Sequence, residues 1–335
     1  GAEIIARQTI RYDYLVLATG GVTNDFGTPG VRDHCMFIDD RAQADRFRHR
    51  LLDQCLRVSR MMSADPASDT YVRVAIVGGG ATGVELAAEL YSAASALRHY
   101  GLEVFDESRL RITLIEAGPR ILPALPERLA VAAHSELEVL GVEIRTGVRV
   151  SEATSIGIVA DGETIEAELR VWAAGVRGAD DMGAIGGLVT TATNQIVVRP
   201  SLQSTIDERI FALGDCCFCM LPRGAGPIPP RAQAAHQMAA TVFDNLDRLM
   251  TGRPVRDFVY RDHGSLVSLS RASAVGSLMG NLAGGRLAVE GRLARLVYAS
   301  LYRLHLLAIH GWMRGIALIL VGRVNQIVRP KLKLH

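Results

Sequence analysis

Several things are scarce in this 335-residue chain. It has five cysteines, an odd number, with Cys216, Cys217 and Cys219 crowded together and Cys35 and Cys55 apart. That pattern excludes a secreted disulfide framework. No apolar run is long enough to cross a bilayer: residues 304–313 and 315–322 are the best stretches, and arginines bound them. With no secretory leader in view either, the expected class is cytosolic or peripheral rather than integral. The formal net charge is only +2, so no global field points to nucleic acid. Internal repeats and low-complexity tracts are absent as well. What remains is a chain with 49% hydrophobic residues, enough for one large core or two ordinary domains.

Among the features present, residues 74–86 carry the strongest signal. A β-branched apolar run leads into Gly78-Gly79-Gly80-Ala81-Thr82-Gly83 and then a helix opening. In a dinucleotide site Gly78 allows the tight strand-to-helix turn, Gly80 lets the backbone approach a pyrophosphate, and Gly83 lets helix and strand pack closely. The pyrophosphate would rest on free N–H groups at the positive end of the helix.

Alternating strand and helix patterns surround the motif and predict a doubly wound α/β protein. Strands are expected at 11–18, 72–77, 111–116, 142–150, 156–170, 170–175, 196–199 and 210–215, with further strand-like alternation over 255–290. Helices are expected at 39–63, 82–98, 126–140 and 231–250, and again beyond 291.

Three acids sit where chemistry can use them. Glu116 ends the strand after the glycine motif, where a carboxylate can accept from adenosine ribose hydroxyls and repel a 2′-phosphate, favouring NADH. It lies further from Gly83 than in the usual unit, which an insert near 99–110 explains; an ordinary strand-end acid is the plain alternative. Glu85 in the first helical turn either complements the helix dipole or faces the reacting ends of two cofactors. Asp215 follows an apolar strand and Gly214, and can take a ribitol-type hydroxyl of a flavin. Ala18-Thr19-Gly20 and Ala173-Ala174-Gly175 repeat that strand-end turn.

Together these segments resemble the two-dinucleotide-binding-domain flavoproteins, and more narrowly the type II NADH:quinone oxidoreductases, over essentially the whole chain. The resemblance implies two Rossmann-like domains, with FAD and NADH as cofactors. It divides the chain into a partial FAD domain (1–70), an NADH domain (71–190), a returning FAD segment (191–252) and a membrane-association region (253–335). Gly214 and Asp215 are implied to bind FAD together with Ala18, Thr19 and Gly20. Nicotinamide is expected over the flavin near Ala174 and Gly175, with Glu85 close by. Ala232-Gln233-Ala234-Ala235-His236-Gln237 is similar to the family's A-Q-x-A-x-Q motif at the quinone pocket. Gln233 and Gln237, at i and i+4, share a helix side as amide donors for quinone carbonyls; a solvated pair is the plain reading. The implied activity is hydride transfer from NADH to FAD and electron transfer to a membrane quinone, without proton pumping.

The resemblance also implies a first strand–G-x-G-x-x-G–helix unit for FAD, and nothing before Gly20 supplies one. The chain is therefore read as a fragment, expected to hold little FAD and to expose an unpaired sheet edge. Two other readings stay open: a disulfide or metal-ion reductase using Cys216 and Cys219, and an inactive NADH-binding remnant. A sulfide:quinone oxidoreductase shares the fold but needs reactive cysteines near the flavin. Zinc and iron–sulfur sites want four ligands, and no second cysteine pair is present.

From residue 286 onward there are nine basic residues and one acid, a net of +8 that leaves −6 on the rest. On a helical wheel Arg292, Arg303, His310 and Arg314 form one stripe opposite Leu301, Leu304, Trp312, Ile316 and Ile319, with Leu296 intruding. The helix is expected to end near Gly322 and to lie on an anionic lipid surface at the cytoplasmic face of the inner membrane. A homodimer is left open.

Overall fold

The computed structural model describes residues 8–97, 105, 107–221, 226–269, 274–279, 286–290, 300, 303, 306–307 and 310–322. The chain forms two compact units. One contains the chain up to Asn24 and Val176–Asp262; the other contains Asp25–Gly175 and the chain from His263 onward.

The second unit is built on a four-stranded parallel sheet in the order Glu143–Thr146, Leu110–Glu116, Val72–Val77, Leu169–Trp172. In the central strand every residue but Arg73 is buried, as expected for a parallel strand covered on both faces. Alternate residues serve different layers. Val72, Val74 and Ile76 pack under the helices Arg41–Ala64, Ala81–Leu97 and Glu127–Leu140. Ala75 and Val77 meet an antiparallel meander, Val150–Ala153, Gly157–Ala160 and Glu163–Glu166.

Local chemistry sets the helix ends. Asp40 accepts from the Gln43 N–H at 2.7 Å while the Gln43 side chain accepts from the Asp39 N–H at 2.7 Å, a reciprocal cap. Gly141, at φ +98°, closes Glu127–Leu140 in the left-handed region.

This unit contains more of the chain than 71–190. The Arg41–Ala64 helix, grouped above with the flavin half, buries Phe47, Leu51, Cys55, Val58 and Met62 in the same core as Val74 and Ile76. An amphipathic face shows that a helix packs, but not on which sheet. Val176 to residue 190 and residues 253–262 lie in the other unit.

In that other unit Leu15–Leu17 pairs in parallel with Ile210–Ala212, Leu15 opposite Ile210 and Leu17 opposite Ala212. Ile196–Val197 pairs with Cys217–Phe218, and Val176–Arg177 with Val22–Thr23. The helix Ala232–Met250 buries Ala234, Met238, Val242 and Asn245.

Gly264–Ser268, Ala274–Met279 and Arg286–Glu290 form an antiparallel sheet, matching the alternation read there. The basic helix expected from Arg292 is not continuous. Gly311 sits at φ +75°, and a β-carbon on Gly315 would lie 2.7 Å from Leu307 Cδ2. Eight residues along one straight helix span roughly 12 Å, so the chain doubles back at Gly311. The rest of that stripe, at 292, 295–296, 301 and 304, falls outside the described residues. Among the described residues no helix is long and apolar enough to cross a membrane.

Asn245, fully buried, ties two loops together: its Nδ2 donates to Ser201 O (3.1 Å) and Arg256 O (2.9 Å), and its Oδ1 accepts from Arg256 N (2.8 Å). Asn245→Ala leaves those backbone groups unsatisfied and should cost about 3 kcal/mol, read as a lower midpoint in denaturant unfolding.

Candidate functional site: a glycine cradle and a half-buried Gly-Asp turn

The cradle in the second unit is built where the strand Val72–Val77 meets the helix Ala81–Leu97. Gly78 has φ +115°, and a β-carbon there would lie 2.8 Å from the backbone of Ala173 and Ala174. A β-carbon on Gly83 would lie 2.0 Å from Gly78 O. Neither position tolerates a side chain. Gly80 differs: nothing lies within 4 Å of its would-be β-carbon. That open space at a helix N-terminus, with Ala81 and Thr82 exposed beside it, fits a pyrophosphate.

Glu116 closes the cradle. Its Oε2 accepts from Gly79 N at 2.7 Å and its Oε1 from Gly118 N at 2.6 Å. A β-carbon on Gly79 would crowd it at 2.9 Å from Glu116 Cβ, so the middle glycine permits this approach. Each oxygen retains a lone pair for a ribose hydroxyl. Ala174 lies against Gly78, and Gly175 follows at φ +71°.

Glu85, one helical turn in, is partly buried, and its Oε1 accepts from Ser268 N at 3.0 Å. Burial pushes its carboxyl pKa up, and that bond offsets only part of the shift.

In the other unit the parallel pairing brings two strand-end turns to one level. Ala18-Thr19-Gly20 follows Leu17, Gly214-Asp215 follows Leu213, and Leu213 N donates to Leu17 O at 3.0 Å. Gly20 and Gly214 both have φ +74°. Thr19 Oγ1 faces Met182 Sδ at 3.7 Å. A β-carbon on Gly21 would sit 3.1 Å from Asp215 Cβ. Burial alone raises the Asp215 pKa. Asp215 opens on a cleft lined by Gly214, Gln195, Pro229, Ala235 and Met238, beside the start of Ala232–Met250. A half-buried carboxylate with spare acceptor capacity, next to glycine backbone, fits a flavin's ribityl hydroxyls.

Ala232 opens that helix, and Gln233 and Gln237 share a side of it. Both amides are engaged there. Gln233 Nε2 donates to Asp262 Oδ1 at 3.3 Å, and Gln237 exchanges two bonds with the Arg261 backbone, at 2.8 and 2.9 Å. Arg231 Nη1 lies 3.7 Å from Asp262 Oδ1. Arg231, Asp262 and Gln195 are not among the residues read from sequence: Arg231 adjoins the A-Q-x-A-x-Q stretch, whereas Asp262 and Gln195 lie 29 and 20 residues from the partners they meet.

The cysteines do not form a thiol centre. All five are free and buried. Cys216 Sγ donates to Leu213 O, whereas Cys219 Sγ faces Arg199 O and Met220 O. Burial pushes the Cys219 thiol to about 11 and Cys217 higher still, far from the thiolate a redox centre needs.

A family model described as pyridine nucleotide-disulphide oxidoreductase matches residues 5–239. A protein of Haemophilus influenzae named type II NADH:quinone oxidoreductase is 45% identical, over all of this chain and 78% of its own length. This chain belongs to the type II NADH:quinone oxidoreductase family. A relative of that name from Staphylococcus aureus is 32% identical over 82% of the chain and 68% of its own length. Among solved structures, NDH2 of Plasmodium falciparum in complex with NADH has the same fold (TM-score 0.78, 18% identity, covering 95% of this chain and 78% of that one). Family membership accounts for two nucleotide-type turns in one chain, and the fold for their strand-end positions.

Two outcomes check the cradle. Gly83→Ala forces backbone apart and should destabilise the protein by about 3 kcal/mol. Gly80→Ala should leave thermal stability nearly unchanged while weakening NADH binding about tenfold or more, measured by quenching of NADH fluorescence. The buried Glu85 adds a pH signature. Because its folded pKa is raised, its contribution to stability is fully present below the ordinary carboxylate value of 4.5 and is lost as pH rises through the folded value. Melting temperatures of Glu85→Gln should therefore fall less than those of the parent over that range.

Proposed function

We propose that this protein oxidises NADH on bound FAD and passes the electrons to a membrane quinone, without moving protons across the membrane. The observation that carries this reading is the occurrence of an open glycine cradle, closed by Glu116, and a half-buried Gly-Asp turn in a chain 45% identical over its whole length to a type II NADH:quinone oxidoreductase.

The chain's own residues divide the work. Gly78–Gly83 hold the NADH pyrophosphate, and Glu116 takes the ribose hydroxyls through its free lone pairs. A 2′-phosphate would meet a carboxylate already pinned by two backbone N–H groups, so NADPH is disfavoured. Asp215, with Gly214 and the Ala18–Gly20 turn, orients the flavin, while Ala174 and Gly175 border the nicotinamide end. FAD, when bound, supplies the step between a two-electron donor and the quinone. Glu85 is the acid at this end of the cradle. Its Oε1 accepts from Ser268 N, which leaves Oε2 as the oxygen available to a proton. Gln233 and Gln237 act as amide donors to the quinone, braced by Asp262 and Arg261.

A membrane quinone requires a protein at the bilayer surface. In the helical stretch 310–322, Trp312 (75%), Met313 (89%) and Leu320 (58%) are exposed. Apolar side chains facing outward beside basic residues suit an anionic lipid headgroup layer, at the cytoplasmic face where NADH is supplied.

The test is NADH-driven reduction of a short-chain ubiquinone by the flavin-loaded protein. The expected result is turnover with NADH, at least about tenfold less with NADPH, and turnover within about twofold of the parent for Cys216→Ser/Cys219→Ser. Loss of quinone turnover in that double variant, alongside cysteine-dependent reduction of a disulfide substrate, would sink the proposal.

A further inference from the structure

The loop before Asp215's neighbouring strand holds a polar network that the mechanism above does not use. Gln195 Nε2 donates to Asp215 O at 3.0 Å and lies 3.5 Å from Cys217 O. The other end of the same amide is fixed: its Oε1 accepts from Thr193 Oγ1 at 3.1 Å. Thr193 Oγ1 shares a 2.9 Å bond with Thr191 Oγ1, which also accepts from the Thr193 and Gln195 backbone N–H groups, at 3.3 and 3.2 Å. An amide has one acceptor and one donor end. The carbonyls of Asp215 and Cys217, which can only accept, therefore fix the orientation that aims the NH₂ at the Gly214–Cys216 turn, and the Thr193 hydroxyl anchors the oxygen at the other end.

The network has a rigid backing. Gly178 N donates to Thr193 O at 2.8 Å, and a β-carbon on Gly178 would lie 2.1 Å from Asn194 O. The loop is thus pressed against a backbone with no side chain to hold it off. At its far end Gln195 lines the same cleft as Asp215. The turn it grips rests in part on a soft contact: Gly214 N donates to the Met238 sulfur, at 3.3 Å, and Gly214 needs a positive φ.

We infer that Gln195, its amide oxygen anchored by Thr193, is a positioning residue that sets the Asp215 carboxylate for the flavin's ribityl hydroxyls. The inference rests on reading Asp215 as a flavin contact. A hydrogen bond at the Asp215 carbonyl fixes the peptide plane and so limits where the carboxylate can point. A group held within a fraction of an ångström keeps its binding contribution, and one left loose loses it.

The test is a double-mutant cycle on FAD affinity, using the protein stripped of flavin and titrated with FAD by fluorescence. Gln195→Leu should raise the Kd about tenfold in the parent, and by less than about twofold in an Asp215→Asn background. Gln195→Glu, of equal size, turns an oxygen towards Asp215 O and should lose as much as Gln195→Leu. Thr193→Val leaves the amide present but removes the hydroxyl that anchors its oxygen, and should raise the Kd about threefold. NADH affinity, which belongs to the other unit, should stay within about twofold throughout.

Equal losses in both backgrounds would assign Gln195 a general structural role and overturn the inference. So would an unchanged Kd in Gln195→Glu and Thr193→Val, which also decides the matter if Gln195→Leu does not fold. If Asp215→Asn alone leaves FAD affinity unchanged, the flavin reading of Asp215 falls and the inference falls with it. An Asp215→Asn loss without a Gln195 effect removes the inference alone.

Discussion

A backbone contact with no room for a side chain anchors the nucleotide unit: Gly83 lies against the carbonyl of Gly78 where strand becomes helix. The contact sets the angle at which the Ala81–Leu97 helix leaves the sheet, and therefore where its free N–H groups point. The space above Gly80 and the pinned Glu116 carboxylate both follow from that angle. Gly79 adds a second condition, since only a residue without a β-carbon lets Glu116 approach and accept its N–H. Three consecutive glycines thus do three different things: Gly78 turns, Gly79 admits the carboxylate and Gly80 leaves open space at the helix N-terminus.

The other unit solves a related problem with different parts. Parallel pairing of Leu15–Leu17 with Ile210–Ala212 puts two turns at one level, each relying on a glycine with φ +74°. Here too a carboxylate stands next to a glycine, but backbone N–H groups do not grip it as they grip Glu116. Burial raises the pKa of Asp215 without an opposing cation. Such a carboxylate is costly without a ligand and well placed to accept hydroxyls once one arrives. The Thr193–Gln195 amide relay supplies, through the main chain, rigidity that the glycine turn does not provide.

Much of the site was legible in the linear chain. The strand 72–77 coincides with Val72–Val77, and the helices at 39–63 and 231–250 fall within two residues of those formed. Glu116 was legible because a strand that must end beside a glycine turn leaves few places for its last side chain. Gln195 was not, because its meaning depends on Asp215 twenty residues away, through a hydrogen bond to a carbonyl that no pattern records. Cys216 and Cys219 are the opposite case, where a pattern offers a reading that packing removes. Their C-x-x-C spacing suggests a thiol pair, but burial and separate carbonyl partners make them packing residues. The wheel from Arg292 missed the reversal at Gly311, since a wheel assumes one axis and a glycine at positive φ ends it.

The sequence by itself determined the local chemistry: which residues turn, which helices are amphipathic, and which acids end strands. Those properties depend on backbone freedom and on periodicities of 2 and 3.6, which neighbouring residues carry. Only the tertiary structure decided which core the Arg41–Ala64 helix joins. It alone brought Ser268 to Glu85, Asp262 to Gln233 and Gln195 to Asp215. These are long-range meetings of groups whose local sequence is equally compatible with solvent. The packing of the two cores chose among them, because an apolar face is satisfied by any sheet while a buried polar group needs a particular partner.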